Sequence, residues 1–185
     1  MNTPPADDLG TAGPRDYRDF LRFATQRTSA LVGDDGARAN DLVLALNRTA
    51  TLITYDMESS VHRAHHNSWA GYKILYVLWI AGPLTSKNLA NIAGMSRASV
   101  SNLSTPLTKR GLIDRRVSTG DARERIVHLT DAGREFIESV FVEQNDLERR
   151  WMSALTDVEQ NLLAALLTKL LDSEQGDIAV NRRRH

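Results

Sequence analysis

Positions Tyr17, Phe20, Leu21, Ala24, Thr28 and Leu31 recur at helical spacing from Pro14 onward, and the run ends near Gly33 and the polar stretch 34–40. A second stripe, Leu42, Leu46, Ala50, Ile53, Met57 and Val61, predicts another amphipathic helix that continues to the His-rich segment around His65. Trp69–Ala81 reads as a third helix, apolar nearly all round and therefore buried under other elements. Punctuation then becomes dense. Thr85 or Ser86 caps a short helix holding Leu89, Ala90 and Ile92, which Gly94 ends. Ser96 caps another, with Val100, Leu103 and Leu107 facing inward and Gly111 as its stop. Two short helices across one Gly turn make a helix-turn-helix. Leu112–Ser118 and Arg125–Leu129 are β-capable runs joined by a charged Thr-Gly-Asp-Ala-Arg-Glu tip, a hairpin that is a candidate wing. Thr130 caps a long helix with Ile137, Val140, Leu147, Trp151 and Ala154 on one side. Thr156-x-x-Glu159 is a capping box for a last helix containing Val158, Leu162, Leu166 and Leu170.

The fold class is therefore mainly α with a small β-hairpin wing. A winged helix-turn-helix lobe over 67–130 lies between N-terminal helices (14–66) and C-terminal helices (131–175), with loose tails at 1–13 and 176–185. The flanking helices are too apolar to stand alone around so small a core. A second copy of the chain supplies the missing surface, so both helical ends are expected to serve dimerisation.

Charge changes the picture only when it is located. The chain carries 23 basic and 23 acidic residues, a formal net charge of zero that by itself argues against a nucleic-acid partner. Within Ser86–Arg125, however, Lys87, Arg97, Lys109, Arg110, Arg115, Arg116, Arg123 and Arg125 face Asp114, Asp121 and Glu124, an excess of five positive charges. No apolar run reaches the roughly eighteen residues of a membrane span, and the N-terminus lacks the basic start and apolar core of a signal peptide. A cytoplasmic protein is expected. With no cysteine, disulfide scaffolds and thiolate metal sites are excluded.

Leu89-Ala90, Gly94-Met95-Ser96-Arg97, Lys109-Arg110-Gly111-Leu112-Ile113, and Asp121-x-Arg123 followed by Leu129-Thr130-x-x-Gly133 together resemble the MarR family of winged helix-turn-helix transcriptional regulators. The resemblance follows the order of elements over about residues 41–173. It implies a dimer whose interleaved terminal helices hold two lobes, each placing its second helix in the major groove, and repression relieved by small, often aromatic, ligands. It further implies that Arg123, at the wing tip, enters the minor groove. The residues make physical sense in those places. Ser96, Arg97, Ser99, Ser101 and Asn102 give the second helix a small polar outer face, with Arg97 and Asn102 the candidates for reading bases. Asp121 is suited to brace the Arg123 guanidinium. Lys109, Arg110 and Arg115 are better placed for phosphate charge. The alternative is a solvated face of an ordinary helix and hairpin. One departure from the family pattern is Pro106, which removes an amide inside the recognition helix and predicts a kink or an early stop.

His62, His66, Trp69, Tyr72 and Tyr76 lie where family members often have a cleft, and aromatic walls with switchable tips suit an aromatic carboxylate or phenol as effector. The competing assignment makes the aromatics core and the histidines a connection. His62 and His66, four apart, also have the spacing of zinc ligands, with Asp56, Glu58 or His128 as further donors, so a zinc-responsive regulator is one alternative. A second is a winged-helix protein-interaction module without DNA binding. No cofactor is expected, and no phosphate loop, nucleophile elbow or paired carboxylate supports an enzyme. The expected partners are a pseudo-palindromic operator in double-stranded DNA, a second copy of the chain, and a small effector; no membrane is expected.

Overall fold

In the computed structural model the described residues are 13–117 and 125–184. The chain divides into two compact units between Ile53 and Thr54. Helix α1 spans Tyr17–Met57, but Gly33 breaks it with φ 75° and ψ 173°, a conformation that glycine alone adopts without strain. The two halves fold back on one another. Thr25 Oγ1 donates to Asp41 Oδ2 at 2.6 Å, and the Arg48 guanidinium lies 5.3 Å from the centre of the Tyr17 ring. The break at Gly33 matches the expected end of the first helix. The polar stretch 34–40 does not form a loop, because it is the start of the returning helix and buries Ala37.

In the second unit α1 runs into a π-turn over Glu58–His62, where the Arg63 amide donates to the Glu58 carbonyl at 3.1 Å. Helix α2 (Trp69–Ala81) follows, capped by Ser68, whose hydroxyl accepts from the Gly71 amide. Its all-round apolarity predicts burial on every side, but only one side is buried: Tyr72, Ile74, Leu75 and Leu78 are inside, while Tyr76 and Ile80 are exposed. A two-residue strand β1 (Leu84–Thr85) leads to α3 (Ser86–Ala93), and Thr85 is its cap. Gly94 adopts the left-handed conformation and turns the chain into α4 (Arg97–Lys109), capped by Ser96. The hairpin strands β2 (Ile113–Val117) and β3 (Arg125–Leu129) pair antiparallel with Ile113 opposite Leu129. Strand β1 adds to the other edge of β3, giving the order β1-β3-β2. Two residues are too few to show alternation, which is why the pattern predicted a hairpin without a third strand.

The lobe packs around Leu75 and Leu78 of α2, Leu89 of α3, Val100 and Leu107 of α4, and Val127 of β3. Helix α4 runs through Pro106 to Lys109, contrary to the expected kink or early stop. Pro106 sits on the exposed side, and the Arg110 amide donates to its carbonyl at 3.0 Å, so helical bonding resumes after the missing amide. Leu103, expected inward, is half-buried, while Ser104 is fully buried and bonds the Val100 carbonyl.

Helix α5 (Asp131–Met152) buries Ile137, Val140 and Leu147. Helix α6 (Asp157–Leu171) starts with the expected capping box, yet buries none of its residues against the rest of the chain. A further helix α7 (Glu174–Arg184) occupies a segment whose pattern predicted only a tail. Among the described residues no helix is long and apolar enough to cross a membrane.

The exit of α4 is locked to the entry of α5. Thr130 donates its amide to the Leu112 carbonyl at 3.1 Å and its hydroxyl to the Gly111 carbonyl at 2.6 Å, while the same hydroxyl accepts from the Gly133 amide. A Cβ on Gly133 would lie 1.9 Å from the Leu112 carbonyl oxygen. Gly133→Ala is expected to lower stability by about 1–3 kcal/mol, the usual range for overpacking a rigid contact. A urea titration reads this directly, and a wild-type midpoint would mean that the junction yields.

Candidate nucleic-acid interface

The Ser96 cap sets the geometry of the exposed end of α4. Its hydroxyl accepts from the Ser99 amide at 3.0 Å, and the two hydroxyls lie 2.8 Å apart, so both side chains are fixed at the helix start. Ser96, Arg97, Ser99, Ser101 and Asn102 are all exposed, while Val100, Ser104 and Leu107 of the same helix are buried. A helix N-terminus with small polar side chains admits a phosphate or a base edge to close approach. Lys109 is also exposed, at the other end of the helix.

Arg110 and Arg115, expected to offer charge to phosphates, have protein partners. Arg110 donates to the carbonyls of His66 (2.9 Å) and His65 (3.2 Å), and its guanidinium lies 4.9 Å from the centre of the Phe136 ring. Arg115 reaches from β2 to the Ser101 carbonyl at 3.4 Å, beside the reading face of α4. Arg110 thus holds main chain of the turn before α2, and Arg115 holds main chain of the recognition helix itself. Asp121 and Arg123 lie outside the described residues.

The histidine and aromatic candidates separate into three positions. Trp69, Tyr72 and Tyr76 form a continuous stack along α2, with neighbouring ring centres 5.6 and 5.8 Å apart. They wall an open cleft of about 430 Å³ between α2, α3 and α5. His62 does not line it. Its ring is fully buried behind the wall, 4.7 Å from Tyr72 and 5.7 Å from Trp69. His66 is exposed in a turn with φ 51° and belongs to neither cleft nor stack. The π-turn ends at His62, so the two histidines do not share a helix face. Among the described residues no group of three or more potential ligands is placed to hold a metal.

Opposite the stack, α5 contributes Phe141, Gln144 and Glu148, and α3 contributes Ile92. The local pattern around the histidines missed these residues, which are distant in sequence. A signal existed at Gln144, a polar side chain within the inward stripe of α5 between Val140 and Leu147. It is buried and donates to Glu148 at 2.8 Å. Lys73 places its ammonium 5.9 Å from the Trp69 ring centre, giving the cleft a cation beside its aromatic wall. The Tyr72 hydroxyl is buried with no hydrogen-bond partner among the described residues, and burial raises its pKa, so the cleft wall holds an unused neutral donor.

Burial also lowers the His62 pKa from its ordinary 6.5; the Glu58 carboxylate and the Gln144 amide oppose this less strongly, and His65 adds to it. The folded chain thus keeps His62 neutral where the unfolded chain protonates it. The resulting stability is complete above about pH 6.5 and declines as pH falls through that value toward the lower folded pKa. The urea midpoint of the wild type is expected to drop over this window, and that of His62→Phe to drop less. Parallel profiles would assign the proton uptake to another group.

Comparison with known proteins places this geometry in context. The MarR family profile matches residues 68–124. The chain is 33% identical over 128 residues to the uncharacterized HTH-type transcriptional regulator YwaE of Bacillus subtilis (strain 168), covering 69% of this chain and 75% of that protein. Its fold is similar to that of BpsR of Bordetella bronchiseptica, whose DNA binding is regulated by 6-hydroxynicotinic acid. The TM-score is 0.66 at 19% identity, over 71% of this chain and 98% of that one. It is likewise similar to Sco3205 of Streptomyces coelicolor, a MarR family regulator solved in complex with DNA, with TM-score 0.66 and 22% identity over 74% and 91% of the two chains.

Proposed function

Since the chain belongs to the MarR family of DNA-binding transcriptional regulators, which are not enzymes, we propose that two copies bind a pseudo-palindromic operator and repress transcription until a small aromatic effector releases them. The observation that carries this reading is the exposed polar face of α4, with Arg97 and Asn102 presented from a capped helix whose other side is locked in the lobe core. Arg97 and Asn102 read bases in the major groove, while Ser96, Ser99, Ser101 and Lys109 approach the phosphates. Arg123, with Asp121 beside it in sequence, serves the wing. Recognition helices of the two copies then fall about one helical turn apart on the duplex.

A second copy of the chain is the natural cover for α6. Leu162, Leu166, Leu170 and Leu171 are 51–73% exposed on a helix that buries nothing in its own chain. Burying such a stripe stabilises by about 25 cal/mol per Å². The dimer helices therefore come from 14–66 and 131–175, around the lobe at 67–130.

The effector site of this reading is the cleft walled by Trp69, Tyr72 and Tyr76, in which Lys73 offers a cation to a carboxylate and the Tyr72 hydroxyl offers a hydrogen bond. Effector and operator weaken each other's binding reciprocally, because the effector shifts the equilibrium only by its differential affinity for the two lobe arrangements.

The test is binding to duplexes from around the protein's own gene, titrated against salt. Arg97→Ala is expected to weaken selective binding by about 10- to 100-fold, corresponding to about 1–3 kcal/mol. Arg123→Ala is expected to weaken it as well, with the dimer intact in sedimentation. Wild-type affinity in both variants, or no binding by the wild type at low salt, would overturn the reading. Saturating 6-hydroxynicotinic acid serves as the first effector probe, and unchanged operator affinity removes that compound.

A further inference from the structure

Arg110 is the first residue past α4, and its guanidinium crosses to a segment 44 residues earlier in the chain. We infer that Arg110 is a positioning residue that fastens the end of the recognition helix to the turn behind the aromatic cleft, so that the cleft wall and the helix move together. The inference rests on the reading of α4 as the helix that meets DNA and of the cleft as the effector site.

A continuous series of contacts carries it. The two carbonyls that Arg110 engages, of His65 and His66, belong to one turn, and two parallel donors on a planar fork fix that turn in orientation as well as distance. The turn is closed on His62, whose carbonyl accepts the amides of His65 (3.2 Å) and Asn67 (3.0 Å). The His62 ring in turn backs Tyr72 and Trp69, which face the cleft. At the other end, the Arg110 amide is bonded to Pro106 inside α4. Helix α5 closes the joint from below: the guanidinium lies over Phe136, Phe136 meets the His65 ring edge-on at 6.0 Å, and Glu143 holds His65 Nε2 at 2.9 Å. A displacement of the cleft wall therefore reaches α4 through His62, one turn of main chain and one side chain.

Backbone hydrogen exchange on the full-length free protein tests the joint without DNA or effector. Arg110→Ala is expected to speed exchange about tenfold both at residues 62–67 and at 107–112, the ratio that follows from losing a charge-assisted hydrogen bond. Arg110→Lys keeps the charge but not the paired donors, and is expected to resemble Arg110→Ala. His62→Ala is expected to speed exchange at 107–112 in the wild-type background and to add nothing there once Arg110 is Ala. Wild-type protection of 62–67 in Arg110→Ala, or additive effects of the two substitutions, overturns the inference. A salt titration on a non-specific 24-base-pair duplex gives an independent arm. A positioning residue leaves the slope of log affinity against log salt unchanged, whereas loss of a phosphate contact reduces it by about one and also overturns the inference. If the wild type retains no duplex, the DNA reading fails on its own and the exchange data still decide the joint.

Discussion

Everything the second unit offers to a ligand hangs on the junction between Gly111-Leu112 and Thr130–Gly133. One threonine uses its amide and its hydroxyl there to satisfy two carbonyls at the end of the recognition helix, and the same hydroxyl caps the long helix that follows. Gly133 lets the main chains approach within a distance that any side chain forbids. The recognition helix, the wing strands and α5 therefore leave a single point, where these hydrogen bonds add to the packing of the lobe core in setting their relative angles. A helix that must match a groove needs this kind of fixed origin, since an error of angle at its base grows along its length.

The basic residues around that origin divide by what they touch. Arg97 and Lys109 face solvent, whereas Arg110 holds carbonyls of the turn before α2 and Arg115 holds one within α4. A local excess of positive charge therefore overstates the number of phosphate contacts available. Part of it is structural: these guanidiniums tie separate segments of the lobe to one another.

What was legible in the sequence was the chemistry decided within a few residues. The caps Thr85, Ser96, Thr130 and Thr156 and the left-handed Gly94 each fix a helix end by a bond to an amide three residues on or by a backbone angle, and each was readable one residue at a time. The polar outer face of α4 followed from the same local rules. Features that depend on distant partners were not readable. The stretch 34–40 is helical because the hairpin of α1 buries Ala37, and Arg110 turns back along the surface because two carbonyls 44 and 45 residues away are open to it. Pro106 carries a local penalty that the helix absorbs on its exposed side. The cleft was half legible: its α2 wall is a contiguous aromatic run, while Phe141, Gln144 and Glu148 reach it only through the packing of α5.

The π-turn at Glu58–His62 bears on how this chain can vary in length. It holds one residue more per turn than an α-helix would, and each residue of a helix carries about 100° of rotation. The five residues of the π-turn wind about as far as four residues of an α-helix, so deleting one between Glu58 and His62 would restore ordinary helical winding and leave Met57 on the core it now fills. The surplus residue is stored as a bulge in the main chain, and the faces on either side of it keep their phase.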